Sequence, residues 1–298
     1  MIKIKVPATT ANIGPGFDSI GMALTLYNEI GIESSNSGID FIEHGPSLNI
    51  PLKDNLILNT ILYVFKKYNF KCSGFKIHSF KNDIPLSRGL GSSAACIASG
   101  IAAADYMMGQ KMTTCEKVSI ASVIEGHPDN VTPAIAGGMT VSIMNGKKTF
   151  FSRINISKCF KFAVMIPEFE ISTSDARKVL PESYSRDDCV YNISRAAMLV
   201  NAFISGEKDK LRISLDDKIH QPYRKKLIKG IDDIFCECRN YGSLGEFISG
   251  SGSTLISIIE RDNNEFEKNM GSYLTSISGN WKMIMLDTDE EGCRILKI

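Results

Sequence analysis

Apolar and polar residues alternate from Lys3 to Val6, the two-residue period of a β-strand, before a polar, glycine-rich turn expected from Pro7 to Phe17. Residues 20–32 read as extended, with a helical turn over 21–26 as the alternative. Between Asn55 and Tyr68, apolar residues fall at 57, 58, 61, 62 and 65; this is helical spacing, and Asp54 is placed to cap it. Residues 74–80 alternate as a strand, 92–108 form an alanine-rich helix and 116–125 a second helix. A strand over 139–144 then leads to a turn at Asn145-Gly146. In the second half, strands are expected over 162–167, 255–259, 281–286 and 295–298. Helices are expected over 174–180, where Pro181 ends the run, and over 190–205, 219–230 and 231–241. Residues 246–249 run into a second small-residue loop, Gly250-Ser-Gly-Ser-Thr254. The mixture predicts an α+β chain that divides near residues 150–160.

Composition narrows the function classes. The 298 residues suit one large or two moderate domains, and 43% hydrophobic with 22% charged residues is ordinary for a folded chain. With 34 basic and 33 acidic residues, the formal charge of +1 offers no general field for nucleic acid. No run approaches the roughly 18 apolar residues that span a bilayer, and the charged start is too short for a secretory core. Neither a membrane nor a nucleic-acid partner is therefore expected. The eight cysteines are scattered and form no pair of CxxC units, so reduced thiols and a cytoplasmic location are the expectation.

The loop Pro85-Leu-Ser-Arg-Gly-Leu-Gly-Ser-Ser-Ala-Ala95 carries the chemistry. Gly89 and Gly91 let the backbone turn tightly and approach an anion. The free N–H groups and positive dipole end of the helix from Ser92 would face phosphate oxygens. Ser92 and Ser93 can cap that helix or offer hydroxyls to phosphate or Mg²⁺. A Walker-type loop fails, because Gly146-Lys147 has Val141 where the first glycine belongs. Gly89-Leu-Gly91-Ser-Ser-Ala94 does match a dinucleotide fingerprint, but residue 111, where an acidic partner is needed, is Lys. Hydride transfer is a poor reading.

Two further motifs accompany the loop. One is Pro7-Ala-Thr-Thr-Ala-Asn-Ile-Gly-Pro-Gly-Phe-Asp18, the other Ser249-Gly-Ser-Gly-Ser-Thr254, with Glu125-Gly-His-Pro-Asp-Asn-Val-Thr-Pro133 between them. Together they resemble the superfamily of galactokinases, homoserine kinases, mevalonate kinases and phosphomevalonate kinases, over residues 3 to about 260. The run Asn-Ile-Gly-Pro-Gly-Phe-Asp is similar to the homoserine kinase branch. The resemblance implies a two-domain α+β fold with the active site in the cleft between the domains. Residues 1–157 would form an ATP-binding domain like the second domain of ribosomal protein S5, and 158–298 a ferredoxin-like domain. It also implies ATP and Mg²⁺, L-homoserine as the acceptor on the way to threonine, and a homodimer.

Residue by residue, the resemblance places Pro85, Leu86, Ser87, Arg88, Gly89, Leu90, Gly91, Ser92, Ser93, Ala94 and Ala95 around the triphosphate, with Asn55 near the adenine. Ser93 and Glu125 would hold Mg²⁺, whose preference for oxygen ligands suits a hydroxyl and a carboxylate. Asn12, Asp18, His127, Asn130, Arg177 and Arg224 would bind the amino acid, with Asp18 taking the ammonium and the arginines the carboxylate. Asn130, Thr173 and Arg177 are the expected catalytic set, and Asp129 is expected to be structural. Relatives with a base carry an Asp where Asn130 stands, and an amide cannot take the proton. Other members commonly have Pro at Ser253, so the third motif is expected to be looser.

Overall fold

The computed structural model of the chain describes residues 1–44 and 51–296. Its first strand, β1 (Ile2–Ala11), runs well past the alternating segment, and from Val6 onward every residue is buried. With both faces covered the alternation disappears, which is why 7–11 read as turn. Pro7 is tolerated because the register slips between Pro7 and Ala8, and a bulge needs no ladder N–H there. The chain returns antiparallel as β2 (Ile20–Ser34), which is extended throughout.

The remaining strands of this first sheet are β3 (Gly38–Glu43), β4 (Gly74–Asn82), β5 (Met139–Asn145) and β6 (Lys148–Ile154). β3 lies parallel to β4, and β5 joins both β2 and, across the Asn145-Gly146 turn, β6. Helices α1 (Leu56–Lys67), α2 (Ser92–Met107), α3 (Thr114–Glu125) and α4 (Val131–Ala136) accompany it, with α2 packed on β1 and β2. Asn55, not Asp54, caps α1: its Oδ1 accepts from the Leu58 N–H at 3.0 Å. α3 begins two residues earlier than expected, because Thr113 and Glu116 form a reciprocal capping box.

The second half supplies β7 (Phe160–Ile166), β8 (Gly245–Ile248), β9 (Leu255–Glu260) and β10 (Lys282–Leu286), an antiparallel sheet of order β10-β7-β9-β8. Its helices are α5 (Thr173–Lys178), α6 (Arg186–Ser205), α7 (Lys208–Ser214), α8 (Gln221–Arg224), α9 (Ile231–Asn240) and α10 (Glu265–Ser276). The succession β7, α9, β8, β9, α10, β10 is the ferredoxin-like βαββαβ unit. One face of β7, with Phe162 and Val164, joins the core of the first sheet; the other, with Ala163 and Met165, packs in a second core with Ile234, Phe266 and Met270 from α9 and α10. The two halves therefore share buried apolar surface.

Residues 219–230 do not form one helix. Asp217 accepts the N–H groups of Ile219, His220 and Gln221, starting the four-residue α8, and Gly230, at φ 80, ends the segment. α6 starts at Arg186, four residues early, because the Ser185 hydroxyl caps it. The last strand, β11 (Arg294–Leu296), pairs antiparallel with β1 in the first sheet; residues 297 and 298 of the strand expected there lie outside the described residues. We retain 1–157 and 158–298 as proposed units, the returning β11 aside. Among the described residues no helix is long and apolar enough to cross a membrane.

Candidate active site

A cleft of about 490 Å³ lies where the first motif, the phosphate loop and the third motif meet. Its floor is the start of α2. Gly91, at φ 68, precedes that helix and brings no side-chain cap, so neither serine caps it. Its first N–H groups lack intrahelical acceptors, an arrangement able to receive an anion.

The two glycines answer to packing more than to the anion. A Cβ on Gly89 would lie 2.1 Å from the Ser249 carbonyl oxygen, and one on Gly91 would lie 1.9 Å from Thr9 Oγ1. Both have positive φ, 75 and 68. Gly89→Ala is therefore expected to destabilise the fold by at least about 2 kcal/mol, the left-handed backbone penalty plus the clash. Denaturant titration at constant m-value would read this; an unchanged midpoint would refute it.

The third motif is locked onto this loop. Ser249 Oγ lies 2.6 Å from the Gly89 carbonyl, and the Thr254 N–H donates to the Arg88 carbonyl at 3.1 Å. Ser253 is buried and donates to the Phe169 carbonyl at 2.6 Å, so the loop is tied down where a proline was absent.

Most expected nucleotide residues face the cleft, including Pro85, Leu86, Ser87, Gly89, Gly91, Ser92, Ser93, Ala95 and Asn55. Leu90 and Ala94 instead belong to the buried core. Arg88 lines the cleft, but its guanidinium is committed elsewhere: Nε donates to the Pro167 carbonyl at 3.0 Å, Nη2 donates to the Glu168 carbonyl, and Nη1 pairs with Glu170 at 2.9 Å. Ser93 Oγ donates to Glu125 Oε2 at 2.6 Å. The end of α3 thus presents a carboxylate to the first turn of α2, despite the short spacing from Glu125 to His127.

The same cleft brings the charged residues together. Arg177 forks onto Asp18, Nη2 to Oδ1 at 2.7 Å and Nη1 to Oδ2 at 3.1 Å. Burial lowers the Arg177 pKa, but the Asp18 hydrogen bonds and charge outweigh it and raise the net value. Arg224, only 2% exposed, donates Nε to the Ala176 carbonyl at 3.2 Å and Nη1 to the Gly250 carbonyl at 2.8 Å. Among the described residues it has no carboxylate partner. Burial, reinforced by the Arg177 charge, pushes its pKa down to about 10. Asp18, Asp129 and Asp217 act on it through charge alone, without a direct ion pair among the described residues. Both guanidinium groups lie over the Phe17 ring, at 5.5 and 5.1 Å.

Asn12 ties the motifs together, donating Nδ2 to the Gly250 carbonyl and accepting the Asp18 N–H, each at 3.0 Å. His127 Nδ1 sits 2.6 Å from Asp129 Oδ1. Burial lowers the imidazole pKa, yet Asp129, with Glu125 and Asp18 beyond it, raises it overall. Asp129 Oδ1 also accepts the Asn130 N–H, a positioning arrangement. Thr9, missed as a site residue although it lies in the first motif, donates its hydroxyl to Asn130 Oδ1 at 2.8 Å. Thr173, in the first turn of α5, lines the same cleft. The cleft is also lined by the strand residues Asn28, Phe41, Ser79 and Asn82 and by Ile84 just after β4; no motif marks them.

Comparison with known proteins follows this geometry. Residues 55–138 match the GHMP kinases N terminal domain and 201–274 the GHMP kinases C terminal domain. A homoserine kinase of Clostridium novyi is 52% identical over 297 residues, covering 100% of this chain and 99% of that one. The chain belongs to the homoserine kinase family. A second homoserine kinase, from Clostridium kluyveri, is 49% identical over the same span. The crystal structure of homoserine kinase from Cytophaga hutchinsonii superposes with a TM-score of 0.87 at 25% identity, covering 99% of this chain and 97% of that one. Family membership accounts for the two-domain α+β fold and for the order of the three motifs.

Proposed function

We propose that the protein transfers the γ-phosphoryl group of ATP to the hydroxyl of L-homoserine, yielding O-phospho-L-homoserine and ADP. The carrying observation is one carboxylate, Asp18, beside two arginines, Arg177 and Arg224, in the cleft that the start of α2 also lines. This charge set fits a zwitterion, whereas a neutral sugar needs none of it. Homoserine would take its ammonium to Asp18 and its carboxylate to Arg177 and Arg224. Opening the Asp18–Arg177 pair costs little, about 0–1 kcal/mol, since its side chains are 34% and 39% exposed.

Ser93 and Glu125 fit a magnesium ion, because their oxygens already converge at 2.6 Å where the phosphates would lie. When bound, Mg²⁺ neutralises charge on the phosphate oxygens. The helix start of α2 holds the phosphates, and Asn130, fixed by Thr9, aligns the acceptor hydroxyl. As that oxygen bonds to the γ-phosphorus, the bond to the β–γ bridging oxygen breaks and ADP leaves with its electrons. The hydroxyl proton departs late, to the transferred phosphate or to solvent. A loose transition state asks little activation of the nucleophile.

Asn130→Ala is accordingly expected to lower kcat by about 10- to 100-fold through misalignment, and Asp129→Asn by less. Full turnover in the first variant with none in the second would reverse the roles. A coupled assay of ADP release over homoserine, mevalonate, galactose and shikimate tests the acceptor. Turnover with homoserine alone is expected; turnover with another acceptor, or with none, would overturn the reading. A homodimer, by the same family likeness, and a cytoplasmic location, in keeping with the scattered cysteines, complete the proposal.

A further inference from the structure

We propose that His220 is a positioning residue for the substrate carboxylate, holding the Arg224 guanidinium through its Nδ1 lone pair; this rests on homoserine being the acceptor. His220 stands immediately before α8, at 0% exposure, in a turn held by Asp217. Its ring stacks on Phe17, with centroids 5.3 Å apart and planes 28° apart. Nε2 lies 2.7 Å from the Gly14 carbonyl oxygen, and Nδ1 lies 3.4 Å from Arg224 Nη1.

These two contacts select one form of the ring. A carbonyl only accepts, so Nε2 carries hydrogen. A guanidinium only donates, so Nδ1 carries the lone pair. Both conditions are met by the neutral Nε2–H tautomer and by no other state. A protonated ring would turn an N–H against the N–H of Arg224. Burial is the main force keeping the imidazole neutral; Asp217 pulls the other way, and the Arg224 charge reinforces burial.

The consequence reaches the cleft through geometry. Arg224 Nη1 serves both Gly250 and His220, while Nε serves Ala176. Contacts on two sides of the guanidinium, one at Nε and two at Nη1, orient the Nη2 hydrogens, which are its remaining donors. Asn12 holds the same Gly250 carbonyl. The imidazole therefore joins the first-motif turn at Gly14 to the carboxylate-binding arginine. Without the Nδ1 acceptor, the Ala176 and Gly250 bonds remain, but one Nη1 hydrogen is left buried and unpaired and the plane of the guanidinium is held less tightly.

Paired substitutions separate this role from simple core packing. Gln at 220 can keep an N–H near the Nε2 position, and Asn can place a carbonyl near Nδ1. His220→Gln is expected to raise the homoserine KM about tenfold, the effect of one hydrogen bond to a charged group, with the ATP KM unmoved. His220→Asn should recover most of that loss. Equal behaviour of the two variants, or parallel rises in both KM values, would overturn the proposal. If neither variant folds, long-range ¹H–¹⁵N spectra of the histidine side chains in the unaltered protein decide it. One imidazole must be neutral and protonated on Nε2 alone; an Nδ1–H or charged ring at 220 would refute it. Because the tautomer is read without substrate, its failure is distinguishable from absent turnover with homoserine.

Discussion

Glu125→Gln is expected to reduce kcat by about 10²- to 10³-fold, the cost of removing one preorganised electrostatic group. The substitution keeps the shape of the side chain and an oxygen that can still accept from Ser93 Oγ, now 2.6 Å away. It removes the charge. The homoserine KM should hold, since Asp18, Arg177 and Arg224 are untouched, while the Mg²⁺ concentration for half-maximal rate should rise. Stability provides the second readout. Glu125 is the last residue of α3, where the negative end of the helix dipole opposes a carboxylate by about 0.3–1 kcal/mol. The amide should therefore leave the protein as stable as before or slightly more so. A residue that works against its own helix and serves the cleft gives this opposed signature, a large catalytic loss with a small stability gain. Unaltered kcat and Mg²⁺ dependence would sink the assignment.

Arg224→Met should strike binding of the amino acid. Kcat/KM for homoserine is expected to fall by about 30- to 1,000-fold, corresponding to roughly 2–4 kcal/mol for a desolvated charged hydrogen-bonding group. The ATP KM should stay near its original value. Met is close in length and keeps an apolar contact with Phe17, which lies 5.1 Å from the guanidinium. Two effects on folding oppose each other. Removing a buried charge that has no direct ion pair among the described residues is favourable, whereas the Ala176 and Gly250 carbonyls lose donors. Their sum should lie within about 2 kcal/mol of zero. A homoserine kcat/KM that is unchanged, or an ATP KM that rises equally, would remove Arg224 from the carboxylate site.

Much of the phosphate site was legible because its determinants are local. Two glycines, two serines and an alanine-rich run predict a turn into a helix, and α2 starts at Ser92 as expected. What those glycines are for was not legible. The approach of Ser249 and Thr9 to Gly89 and Gly91 joins segments far apart in sequence. Arg88 shows the same limit: a basic residue in a phosphate loop suggests a phosphate partner, yet its donors are taken by residues 167, 168 and 170. Some elements were missed for local reasons. α10 buries only Phe266, Met270 and Leu274, a single stripe with Gly271 among them, and the six residues of α4 are too few to show a period. α7, β3 and β6 are short segments with little buried periodicity.

The sequence by itself determined where most helices and strands lie, which glycine-rich turns they frame, and, through the three motifs, the kind of chemistry to expect. It did so because periodicity, capping and backbone freedom are properties of neighbouring residues. Only the tertiary structure decided that Asp18 meets Arg177 across 159 positions and that Asn12 meets Gly250 across 238. It likewise decided that Arg224 is buried with no direct ion pair among the described residues, and that β11 returns to β1. An apolar period says which face of an element seeks cover, not which distant segment supplies it. Those pairings appear only when both sheets close on their shared core, and closure is what brings the separate charged residues into one cleft.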